Sequence, residues 1–200
     1  MMETLFDYPE YAEVGGKKYK INTDYKVAIR CNQIAMENID LKEKSMAIIY
    51  LLFGEEALKD VKHYEELIDK ASYFLKCGDV DNDENTSEKP DMDLVQDFPY
   101  IEASFMSDYN MSIKDKEMHW WEFYYLLCGL SQSEMGNSCI LNRIRDIRTL
   151  DLNKINDPKE REKLRQAKKR FALKTNETKK REFTSEELKN MEEYHKLIGI

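Results

Sequence analysis

The sequence predicts a mainly α-helical fold, a multi-helix bundle in two lobes with a small N-terminal β-hairpin. Three observations carry that expectation. The 200 residues include only seven glycines and four prolines, well below the usual share and too few for a chain built of tight turns. Apolar residues recur at helical spacing in one segment after another. The hydrophobic share of 42% is enough to fill a core of ordinary size.

Taken in order, Tyr11–Val14 and residues 17–21 flank Gly15-Gly16, the signature of a two-residue hairpin turn. Asn22-Thr23-Asp24 offers capping oxygens to a helix with the stripe Val27, Cys31, Ile34 and Ala35. Asp40, with Glu43 three residues later, opens a second helix that buries Met46, Ile49 and Phe53 and ends at Gly54. A third helix carries Val61, Tyr64, Ile68, Ala71 and Leu75 at amphipathic spacing and stops at Gly78. Residues 1–78 thus form the first lobe.

Residues 79–93 hold seven acids, one lysine and Pro90, and read as an acidic flexible linker. Asp79, Asp81 and Asp83 resemble the opening of a calcium loop. Glu84 stands where the turn needs glycine, however, and Pro90 where a bidentate glutamate belongs, so no calcium site is expected. The second lobe, residues 94–173, starts with a helix over 97–109 with the stripe Ile101, Phe105 and Tyr109. The most apolar segment of the chain, residues 118–128, predicts a central helix contacted on several sides, with Trp120, Trp121 and Tyr125 as structural core. A shorter helix turns Ile140, Ile144 and Ile147 inward. Asp157-Pro158 with Glu160 starts another, which runs to about Phe171 with the narrow stripe Leu164, Ala167 and Phe171. Residues 174–200 form a charged extension in which Leu188, Met191, His195 and Ile198 line up on a last helix.

The chemistry-bearing residues are dispersed. Cys31, Cys77, Cys128 and Cys139 form no C-x-x-C pair and read as free thiols serving as small core residues. His63, His119 and His195 lie far apart, with His119 and His195 read as core residues. Neither a Gly-rich phosphate loop nor a G-x-S-x-G elbow occurs. The expectation is a protein without catalytic, cofactor or metal residues. It has no apolar run near the roughly 20 residues that span a bilayer.

Charge is uneven. Residues 1–153 carry 17 basic and 30 acidic groups, a net of −13, whereas residues 154–181 carry 12 against 4, a net of +8. Within the basic stretch, Arg161, Arg165, Lys168 and Lys169 form one helical stripe, although like charges four apart cost a helix about 0.2–0.5 kcal/mol per pair. These four are the candidate partner-binding residues, facing an acidic protein or acidic patch. The acidic body disfavours nucleic acid.

The run MHWWEFYYLLCGLS, residues 118–131, resembles the H-W-W-x-F-x-x-L-L-x-G-L signature of the bacteriophage gene-product-fifteen family. VGGKKYKINTDYKVAIR, YFLKCG, IEASFMSDYNMSI and RTLDLNKINDPKEREKLRQAKKRFAL are similar to other family segments, so the likeness covers about residues 11–173. The resemblance implies a protein of a tailed phage or prophage, because family genes typically sit between the major tail protein and the tape-measure protein. It further implies a tail assembly chaperone in the host cytoplasm that binds the tape-measure protein or other tail proteins and is not retained in the virion. A homo-oligomer fits the same reading. The alternatives are a phage-encoded regulator or inhibitor of a host protein, and a structural component of the virion.

Overall fold

Gly15 and Gly16 turn the chain with φ of 56° and 79°, the left-handed pair that a two-residue hairpin requires. They join β1 (Tyr11–Val14) to β2 (Lys17–Lys20) in an antiparallel ladder that sets Ala12 opposite Tyr19. Ala12, Val14 and Tyr19 are buried, so the pleat turns one face inward. The Tyr19 hydroxyl donates to Asp60 at 2.7 Å and the Gly15 amide donates to Glu66 at 3.1 Å, which fastens the hairpin to the helices that follow. A Cβ at Gly15 would stand 2.4 Å from the His63 ring, so a side chain there would have to displace that ring.

The computed structural model describes residues 7–79, 90–132 and 138–174. Among them eight helices follow the hairpin: α1 (Tyr25–Met36), α2 (Leu41–Phe53), α3 (Glu55–Leu58), α4 (Tyr64–Leu75), α5 (Phe98–Tyr109), α6 (Trp120–Cys128), α7 (Ile140–Thr149) and α8 (Pro158–Phe171). Asp24, Asp40 and Asp157 cap α1, α2 and α8, each accepting the amide two residues on at 2.8 Å. Gly54, at φ 80°, ends α2 and lets the chain restart at once as the short α3, which the sequence pattern does not reveal.

Two stripes are rotated from their expected positions. In α1 the buried residues are Tyr25, Ala28, Ile29, Cys31 and Ile34, and Ala35 is exposed. In α4 the buried line is Leu67, Ala71 and Phe74, with Ile68 and Leu75 half-buried beside it. Val61 faces solvent, because a 3₁₀ turn over Val61–His63 resets the helical phase before α4 begins.

The two halves of the chain share one apolar core. Tyr25 of α1 stacks on Phe123 of α6 with centroids 4.6 Å apart, and Phe123 stacks on Phe105 of α5 at 5.6 Å. The buried Tyr25 hydroxyl donates to the Ile113 carbonyl at 2.8 Å. The expected lobes, residues 1–78 and 94–173, therefore meet in a common interior.

Of the expected linker, residues 80–89 lie outside the described residues. Its last residues contact the second half. Asp91 pairs with Arg145 at 2.9 Å, and Asp93 accepts the amides of Val95 and Gln96. Composition counts Asp91 as solvated because its partner Arg145 lies more than fifty residues away. Asp97 is 1% exposed and takes both arms of the Arg148 guanidinium at 2.7 Å. The same guanidinium donates to the carbonyls of Asp91 and Phe171, which ties α5, α7 and the end of α8 together. The extension lies outside the described residues beyond Lys174, whose amide donates to the Gln96 side chain at 2.8 Å.

Candidate docking surfaces on helices α6 and α8

His119 caps α6. Its Nδ1 accepts the Trp121 amide at 3.0 Å and its Nε2 donates to the Pro9 carbonyl at 3.2 Å, an arrangement that only the neutral Nε2–H tautomer satisfies. Burial holds the imidazole below its ordinary value, against the opposing pull of the Pro9 carbonyl, Glu10 and Glu122.

Trp120 and Trp121 then reach the end of α4 together. The Trp120 indole donates to the Leu75 carbonyl at 3.1 Å and the Trp121 indole to the Phe74 carbonyl at 2.8 Å. Both are carbonyls that a helix end leaves without an intrahelical partner. The chain leaves α4 through Cys77 and Gly78 in left-handed conformation, φ 54° and 81°, and the Gly78 amide returns to the Tyr73 carbonyl at 2.9 Å. A Cβ on Gly78 would lie 3.1 Å from the Trp121 ring, so this ring closes over the turn.

The core assignment of the aromatic run divides here. Trp120 is 2% exposed and Phe123 is fully buried. Trp121 is half-buried, while Tyr124 and Tyr125 are exposed, Tyr125 by 50%. Tyr125 is therefore not a core residue. α6 packs on α1, on α5 and on the end of α4, so it is contacted on several sides, while the side that carries Tyr124 and Tyr125 faces outward.

That outward side is joined by two rings from elsewhere in the chain. Tyr8, just before the hairpin, stacks on His119 at 4.9 Å and stands 6.2 Å from Trp121 and 6.5 Å from Tyr125. Tyr73 of α4 lies 5.9 Å from Trp121 on the other flank. Tyr124 and Tyr125 are 5.9 Å apart. The result is a continuous aromatic surface of five rings, four of them tyrosines between 38% and 50% exposed. Cys128 is exposed at its lower edge, whereas Cys31, Cys77 and Cys139 are buried, which corrects the reading of all four as core thiols.

α8 contains no fully buried residue. Its expected stripe does not form one free face. Arg161 donates through Nε at 2.9 Å and through Nη2 to the Ile155 carbonyl, and Lys168 donates to the Leu150 carbonyl. Arg165 pairs with Glu162 at 2.7 Å, and Lys169 is exposed. Two of the four cations thus fasten α8 to the loop before it, which is the compensation for like charges along a helix. Among the described residues, no group of three or more His, Cys, Asp or Glu could hold a metal ion.

The family model described as Bacteriophage Gp15 protein matches residues 6–173. The chain belongs to that family. This Gp15-family protein is thus a phage protein, and the match takes in Tyr8, Tyr73, the double tryptophan and all of α8. Comparison with curated proteins and with solved structures gives no match. No helix among the described residues is long and apolar enough to cross a membrane. Sequence reasoning missed Tyr8 and Tyr73 as members of the aromatic face, as well as the Asp97–Arg148 pair. The one available signal was the width of the aromatic arc in residues 118–128, broader than a single buried face.

Proposed function

We propose that this Gp15-family protein is a non-enzymatic tail assembly factor. It holds the tape-measure protein of its phage in the host cytoplasm until the tail tube forms, and it does not remain in the virion. The observation that carries the reading is the aromatic face of α6, because tyrosine and tryptophan concentrate in protein–protein interfaces. A long tape-measure helix would lay its apolar stripe on that face. The tail-gene setting implied by the family resemblance supports the choice of partner.

The test is co-expression of the tagged protein with fragments of the tape-measure protein encoded beside it. The expected result is co-elution of at least one fragment, together with absence of the protein from purified particles. Failure of every fragment to co-elute, with recovery of a host protein in its place, would favour the regulator reading. Presence in stoichiometric amount in particles would favour a virion component.

A further inference from the structure

We infer that the α6 face is a docking site for a cationic amphipathic helix, one whose apolar stripe is bordered by lysine or arginine. The inference deepens the reading above and rests on it only for which protein supplies the helix.

The rings set the first requirement. Tyr8, Tyr73, Trp121, Tyr124 and Tyr125 come from three separate parts of the chain and meet on one surface. Such a surface takes apolar side chains, and its π-faces also attract lysine and arginine head groups. The frame beneath is fixed before any partner arrives. Trp121 is tied to the Phe74 carbonyl and closes over Gly78, so little ordering cost remains for binding.

Charge sets the second requirement. Glu10 follows Tyr8 by two residues, Glu122 stands in the first turn of α6, and Asp79 directly follows Gly78, over which Trp121 closes. A cation, Lys76, stands at the C-cap of α4. Residues 1–153, this rim included, carry a net charge of −13, and the whole chain −8. An acidic amphipathic helix would be repelled and a neutral one would not be steered. A cationic one satisfies both the rings and the field.

The test uses the full-length protein and three synthetic helices. One has an apolar stripe bordered by lysine, the second has the same stripe bordered by glutamate, and the third keeps the lysines with serine in place of the stripe. Binding is followed by the fluorescence of Trp120 and Trp121, the only two tryptophans. The expected result is binding of the first helix alone, weakened about tenfold by Tyr125→Ala or by Tyr73→Ser. Glu122→Lys should weaken it too and flatten its salt dependence, with melting temperatures unchanged. Equal binding of the glutamate-bordered helix, or unchanged affinity in both tyrosine variants, would overturn the inference. So would sedimentation showing wild-type self-association that Tyr125→Ala abolishes, because a second copy would then be the occupant. Tighter binding of every helix after deletion of residues 2–6 would assign the face to the chain's own N-terminal segment and overturn it as well. Capture of tape-measure fragments without peptide binding removes this inference alone. Peptide binding without capture removes only the tape-measure reading.

Discussion

Asp24 and His119, the residues that cap α1 and α6, lie opposite one another in an isolated antiparallel bridge. The Tyr25 amide donates to the Met118 carbonyl at 3.0 Å and the Trp120 amide to the Thr23 carbonyl at 2.7 Å, so the two helices begin from one short ladder. The starts of α1 and α6 are thus fixed to each other across almost a hundred residues. Tyr25 and Phe123 stack just beyond. The position of the aromatic face follows from this joint, in which burial lowers the titration of His119.

His119 makes the joint sensitive to pH. Its folded value lies below the ordinary imidazole value of about 6.5, because burial disfavours the cation and Nδ1 must accept the Trp121 amide. The unfolded chain then binds more protons than the folded one in this range. The contribution is complete above about pH 6.5 and is lost as pH falls through the folded value. Urea midpoints measured across that window should decline toward acid in the wild type. In His119→Asn, which keeps a capping oxygen without the titration, the decline over that window should be smaller. An identical profile in both proteins would remove His119 from the account.

The two tryptophans should differ from the tyrosines beside them. Trp120→Ala empties a buried site and should cost about 3–5 kcal/mol in equilibrium unfolding. Tyr125→Ala removes a half-exposed ring and should stay within about 0.5 kcal/mol of wild type. Equal losses would return Tyr125 to the core.

The Asp97–Arg148 pair should be essential to the second half of the chain. Arg148→Met leaves the Asp97 carboxylate buried without its partner, an event that costs about 3–5 kcal/mol in comparable sites. It also releases the Asp91 and Phe171 carbonyls, so protease sensitivity should rise around α8. Adding Asp97→Leu should restore part of the lost stability. No restoration would place the cost in the freed carbonyls and not in the stranded charge.

The basic helix should separate into two pairs. Arg161→Glu and Lys168→Glu each lose hydrogen bonds to carbonyls of the preceding loop and should cost about 1 kcal/mol. Arg165→Glu and Lys169→Glu alter exposed positions and should leave stability within about 0.5 kcal/mol. Thermal melts of the four single variants distinguish this division from one uniform docking stripe.

Much of the fold could be read from local chemistry. Gly15-Gly16, the caps Asp24, Asp40 and Asp157, and Pro158 all act on neighbouring residues, so short stretches of sequence report them directly. The family signature in residues 118–131 was equally visible. What stayed hidden depends on distant partners. Arg148 reads as a surface cation until Asp97 is beside it. Tyr8 and Tyr73 read as isolated rings until α6 lies between them. Val61 fits the α4 stripe by spacing, but a 3₁₀ turn puts it out of phase. The aromatic run gave the right helix and its several contacts but not which rings stay outside, because periodicity measures how wide an apolar arc is and not what covers it.

The most direct test of the central claim is amide hydrogen exchange of the full-length protein with and without a captured tape-measure fragment. The account predicts slower exchange in α6 from Trp120 to Cys128 and in the turn from Lys76 to Asp79, with α8 unaffected. Protection confined to α8, or absent from both the α6 segment and that turn, would contradict it.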